Sequence, residues 1–130
     1  MICKSYNTLI SGVTGSGKSY LENLIVKSLR QDGSSQYIMI DPKGVELMEY
    51  EDDPRTLVYA DTPDGIAEAF EYAMDLMESR FAEMKAAREK ETKEPNVFII
   101  VDEMSALMQS SMKRDFCDTL SQIALKGRAA

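Results

Sequence analysis

Two groups of residues in this sequence have the types and spacing for phosphate chemistry. The first, Gly12-Val13-Thr14-Gly15-Ser16-Gly17-Lys18-Ser19, meets the pattern Gly-x-x-x-x-Gly-Lys-(Ser/Thr) at every fixed position. Glycines let successive backbone N–H groups curl around phosphate oxygens, and a helix starting near Lys18 adds the positive end of its dipole. In such a loop the Lys18 ammonium reaches the outer phosphates of ATP and the Ser19 hydroxyl ligates Mg2+. The plain alternative is a glycine-rich turn bearing a surface lysine. The second group is Asp102-Glu103, directly after the apolar run Val97-Phe98-Ile99-Ile100-Val101. A carboxylate at that place can hold the magnesium, directly or through water, and the next one can act as general base on an attacking water. Alone, the pair could equally cap a following helix, since acidic residues favour helix N-termini.

Both groups need elements to position them. Asn7 to Ser11 runs from polar to apolar before Gly12, and Tyr20, Leu21, Leu24, Ile25, Ser28 and Leu29 follow at helical spacing, which predicts strand, loop and helix. Gln31-Asp32-Gly33-Ser34-Ser35 ends that helix. Tyr37-Ile38-Met39-Ile40 reads as a second strand cut off by Asp41-Pro42, and Thr56-Leu57-Val58-Tyr59-Ala60 as a brief third. Thr62 is placed as an N-cap with Pro63 at the first helical position. Ile66, Phe70, Met74, Met77, Phe81 and Met84 then mark a long amphipathic helix whose stripe faces a core. Lys85 to Glu94 reads as a solvated helix end and loop. Val97–Val101 is unbroken enough to suit the middle of a parallel sheet, and Met104 to Lys126 is helical by pattern. Strands alternating with helices imply an α/β fold with a parallel sheet, in which ligands gather at the carboxyl ends of the strands.

Composition narrows the function classes. The chain has 130 residues, room for one domain or part of one. It lacks an apolar run long enough for a membrane span, and Met1-Ile2-Cys3-Lys4-Ser5 does not lead into a signal-peptide core, so a cytoplasmic setting is expected. Cys3 and Cys117 are far apart and histidine is absent, which argues for two reduced thiols and against a zinc site. A net charge of −7 argues against bulk electrostatic coating of nucleic acid. The charge is uneven. Residues 41–83 carry thirteen Asp and Glu against Lys43, Arg55 and Arg80, so any DNA contact is expected away from that stretch.

The phosphate loop Gly12–Ser19, the segment Ile40-Asp41-Pro42-Lys43-Gly44-Val45-Glu46-Leu47, Met77-Glu78-Ser79-Arg80-Phe81, the strand end Phe98–Glu103 and Gly127-Arg128-Ala129-Ala130 occur in an order that resembles the motor domain of FtsK/SpoIIIE DNA translocases. The first and fourth are generic to many ATPases; Asp-Pro-Lys-Gly-Val-Glu-Leu and Gly-Arg-Ala-Ala discriminate. The likeness covers nearly the whole chain. It implies a RecA-like P-loop NTPase core, with a mostly parallel sheet flanked by helices, that uses ATP and Mg2+. It further implies a homo-oligomer, a hexameric ring around double-stranded DNA, with ATP hydrolysis coupled to moving that DNA. Residue by residue, Lys18 and Ser19 match the Walker A ligands of the family, and Asp102 and Glu103 its Walker B pair. Arg128 matches a candidate arginine finger that reaches a neighbouring subunit's site, the alternative being a solvated terminal cation. Asp41, Lys43 and Glu46 also match family positions, without an assigned role; a turn with a local ion pair serves equally.

One departure stands out. The family continues past this point into another strand, which lies between the phosphate-loop strand and the Walker B strand. Its absence predicts an empty sheet position, with unpaired backbone groups and exposed apolar surface on both sides, in a domain that is incomplete at its C-terminal side and hydrolyses ATP poorly. Three other readings use the same loop. A conjugative coupling protein is not separated by these residues; a small-molecule kinase would need a basic lid that is not found; a nucleotide-binding module would bind without turnover.

Overall fold

A computed structural model of the chain describes residues 7–13 and 15–130; Thr14 and Cys3 fall outside them. Three strands, β1 (Gln36–Ile40), β2 (Thr56–Ala60) and β3 (Val97–Val101), form a parallel sheet in the order β2-β1-β3. Helices α1 (Lys18–Leu29), α2 (Pro63–Ala87), α3 (Met104–Gln109) and α4 (Lys113–Lys126) accompany it. β1 is the central strand, and Tyr37 to Ile40 are fully buried because both sheet faces are covered. On one face Ile38 and Ile40 pack with Ile66, Phe70 and Ala73 of α2, Leu107 of α3 and Phe116 of α4. On the other, Tyr37 and Met39 meet Val26 of α1 with Leu47 and Tyr50 of the β1–β2 connection. The two-residue period of the strand thus sorts its side chains into two cores.

The expected start of α2 holds. The Thr62 side chain accepts the Gly65 N–H at 3.2 Å and Pro63 opens the helix, while Ile66, Phe70, Met77 and Met84 of the stripe are buried. Three expectations are corrected. Residues 7–11 form no strand, and Leu9 and Val13 lie exposed. β3 is an edge strand rather than a central one. Its five residues are all half-buried, and among the described residues β1 is its strand neighbour. Finally, Met104 to Lys126 is two helices, because Ser110 turns extended and its hydroxyl donates to the Leu107 carbonyl while accepting the Met112 N–H.

α1 is held by side-chain contacts with the β1–β2 connection. Val26 packs on Tyr50, the Tyr50 hydroxyl donates to Asn23 Oδ1 at 3.3 Å, and Asn23 Nδ2 donates to the Ser19 carbonyl at 3.1 Å. The connection carrying Tyr50 is itself pinned by a fully buried carboxylate. Asp41 accepts backbone N–H groups from Gly44 at 3.0 Å, Leu47 at 2.9 Å and Lys43 at 3.3 Å, and Gly44 turns through positive φ to close the bend. Asp41, matched to the family without a role, is therefore the keystone of this turn.

Arg80 has a comparable task at the far end of the sheet. Buried on α2, it donates to the carbonyls of Pro95 at 2.9 Å and Ala130 at 2.7 Å, joining α2 to the approach to β3 and to the segment after α4.

Two stability changes are expected. Arg80→Met keeps the apolar stem but leaves two carbonyls without their charged donor, lowering unfolding stability by about 2–3 kcal/mol in urea titrations. Asp41→Ala strips three amides of their acceptor and costs about 2–4 kcal/mol by the same measurement; an unchanged midpoint would show that water replaces the carboxylate.

Candidate functional site

Parallel pairing brings the strand ends to one edge of the sheet, and each strand runs into an aspartate: Asp41, Asp61 and Asp102. The edge is stitched across. Asp41 N–H donates to the Ala60 carbonyl at 2.8 Å, and Asp102 N–H to the Ile40 carbonyl at 2.9 Å. Asp102 is buried. Its Oδ1 lies 3.5 Å from Lys18 Nζ, so that two groups 84 residues apart in sequence meet at this edge.

The loop before Lys18 has the backbone that its glycines predict. Gly15 and Gly17 take φ of 81° and 88°, a region disfavoured for L side chains, and a Cβ at either would meet no atom; conformation, not crowding, requires glycine there. The Ser16 N–H donates to the Val13 carbonyl at 3.0 Å. Helix α1 then starts at Lys18 with Gly17 as N-cap and no side-chain cap, which leaves the dipole end open toward an anion. Gly12, Val13, Gly15, Ser16 and Gly17 are exposed, Lys18 and Ser19 half-buried.

Glu103 follows Asp102 in the left-handed region, φ 52° and ψ 56°, which is costly for a residue with a Cβ. Both its oxygens are engaged: Oε1 accepts from the Ser105 hydroxyl, and Oε2 lies 3.0 Å from Lys43 Nζ. Those bonds, Ser105 first and Lys43 second, hold its carboxyl below the usual carboxylate range. The ion pair suggested for Lys43 is thus present but not local, because its partner is Glu103, 60 residues on.

Sequence reasoning missed Glu22. It lies one helical turn after Lys18, a spacing that puts both on one face of α1 and was the available signal. Burial, and then the neighbouring Asp102 carboxylate, push Glu22 up to about 7, and its Oε1 is buried without a hydrogen-bond partner.

Arg128 is not brought to this edge. Thr92 N–H donates to the Ala129 carbonyl at 2.9 Å and Arg80 holds Ala130, which keeps the exposed Arg128 near the beginning of β3, whereas Asp102 follows its end. Cys117 is a free thiol, 3.8 Å from the Met108 sulfur. No helix among the described residues is long and apolar enough to cross a membrane.

The donor set suits a magnesium nucleotide. It comprises an amide loop opened by two left-handed glycines, an uncapped helix terminus, a hydroxyl residue, and a buried carboxylate whose cationic partner is the loop lysine.

Comparison with known proteins agrees. A family model described as the FtsK/SpoIIIE family matches residues 2–93, more than half of the chain and inclusive of the phosphate loop and the Asp41 turn. A DNA translocase FtsK of Leptospira interrogans is 36% identical over 142 residues, covering 93% of this chain and 15% of the relative. One from Mycobacterium tuberculosis is 32% identical over 156 residues, covering 99% and 19%. A third, from Streptococcus pyogenes, is 32% identical over 145 residues, covering 94% and 18%. The chain therefore spans less than a fifth of the length of these curated relatives. With family match, relatives and α/β architecture in agreement, this chain belongs to the FtsK/SpoIIIE family.

Proposed function

We propose that the chain binds ATP with Mg2+ between the Gly12–Ser19 loop and Asp102, hydrolyses it, and serves a protein that moves double-stranded DNA through a hexameric ring. The observation that carries the reading is the meeting of Lys18 and Asp102, distant in sequence and 3.5 Å apart at the carboxyl edge of the sheet. A glycine-rich turn with a solvated lysine has no reason to aim that lysine at a buried carboxylate.

Each residue then has a physical task. Amides of Val13 to Ser19 and the open end of α1 bind phosphate oxygens without deprotonation or metal. Lys18 adds a point charge on the outer phosphates. Ser19 and Asp102 would hold the Mg2+, which when bound neutralises phosphate charge and orders the reacting phosphoryl group. Glu103 orients a water at its carboxylate and accepts its proton as the phosphate bond breaks. Arg128, near the opposite end of β3 from Asp102, fits action on a neighbouring subunit rather than on its own. DNA is a proposal from the names of the relatives, which are DNA translocases. The contact surface is expected away from residues 41–83, whose carboxylates repel phosphate.

The tests separate binding from chemistry. Lys18→Ala should abolish nucleotide binding in calorimetry, while Glu103→Gln binds as before and loses turnover by a factor of about 100 or more. Loss of binding in both variants would remove Glu103 from the role of base, and binding without turnover in a full-length protein carrying this domain would favour a nucleotide-binding module. The ATPase rate of a full-length protein carrying this domain should rise with added duplex DNA, and a rate indifferent to DNA counts against translocation. In mixed assemblies, Arg128→Ala should be rescued by a subunit with an intact arginine; failure to complement removes Arg128 from the role of a finger.

A further inference from the structure

We propose that Lys43 is a positioning residue that neutralises the Glu103 carboxylate, so that the site can accept a polyanionic nucleotide. The inference rests on the MgATP reading above and concerns a residue that reading does not use.

The first support is geometric. Lys43 Nζ lies 3.0 Å from Glu103 Oε2 across 60 residues of sequence, and the other oxygen of Glu103 is taken by Ser105. The carboxylate is thereby fixed at both oxygens, with its charge matched by one cation. The second is that the origin of this cation is built rather than incidental. Asp41 pins the backbone of Lys43, Gly44 and Leu47, and the Ile40↔Val101 register sets the pinned turn beside the end of β3. A cation delivered by a buried turn to a residue adjoining Asp102 is placed by the fold. The third is electrostatic. Asp102, Glu103 and Glu22 crowd one edge, and Lys18 is engaged by Asp102. A triphosphate entering this group meets like charge, and the repulsion from Glu103 is cancelled only while a cation stays on it. Lys43 is that cation, acting on nucleotide affinity through Glu103.

The experiment is a binding cycle. Affinities for MgATPγS and MgADP are measured by calorimetry for the wild-type protein, Lys43→Ala, Lys43→Arg, Glu103→Gln, the Lys43→Ala/Glu103→Gln double variant and Lys18→Ala. Lys43 is more than half exposed, so its removal should leave the thermal midpoint unchanged. Lys43→Ala is expected to weaken MgATPγS by about fivefold, Lys43→Arg to restore it, and Lys43→Ala to have no effect once Glu103 is Gln. Unchanged affinity in Lys43→Ala overturns the inference. An equal loss in both backgrounds also overturns it, since Lys43 would then act on phosphate directly. Wild-type affinity in Lys18→Ala, or no binding by the wild-type protein, brings down the phosphate-loop reading and this one together. Loss of binding in Lys18→Ala with none in Lys43→Ala brings down this one alone.

Discussion

Everything at the site depends on the parallel register of β1 with β3. Gln36 pairs with Val97 and Ile40 with Val101, so the residues that follow, Asp41 and Asp102, leave the sheet side by side at its carboxyl edge. An antiparallel pairing would have sent them to opposite ends, and a one-residue slip would have turned their side chains to the other face. The register is enforced by burial. β1 has no exposed side chain from Tyr37 to Ile40, so sliding it would move Ile38 and Ile40 out of the α2 core and Tyr37 and Met39 out of the α1 core at once. Two hydrophobic cores thereby act as the jig for a charged edge.

What the jig holds together is not self-stabilising. Carboxylates of Asp102, Glu103 and Glu22 lie close, and like charges resist one another in partly buried surroundings. The fold answers with specific partners: Lys18 for Asp102 and Lys43 for Glu103. Glu22 faces Asp102 with one oxygen unpartnered, and the carboxyl is pushed up until it keeps a proton near neutral pH. Such a concentration of unfavourable interactions is expected where a sequence serves a ligand rather than its own stability.

The parts legible in the sequence were those set by local chemistry. Left-handed Gly15 and Gly17, the Thr62–Pro63 helix start and three strands bounded by turn residues depend on neighbours a few positions away. So did the aspartate after β3, because a strand ends where its apolar run ends. What escaped depended on pairing at a distance. Val97–Val101 has the composition of a central strand, but position in a sheet depends on which other segments pair with it, and among the described residues only β1 does. Residues 7–11, expected as a strand, take none among the described residues. The Lys43–Glu103 pair could not be read at all, since 60 residues separate the partners and only the sheet register joins them. Glu22 was within reach, four positions from Lys18, yet a lone glutamate on an amphipathic helix gives no sign of the carboxylate that will face it.

Glu103 shows how the site and the fold are traded against each other. A left-handed glutamate costs on the order of 1–2 kcal/mol relative to a glycine in the same place, and glycine would serve the turn into α3 equally well. The backbone therefore gains nothing from the side chain, and the side chain must be there for what it touches. Its contacts are with Ser105 and Lys43, which keep it ionised and hold its pKa low. The strained backbone fixes where the carboxylate sits and the turn pinned by Asp41 brings a cation to it, so Lys43 and Glu103, 60 positions apart, are placed against each other by the fold.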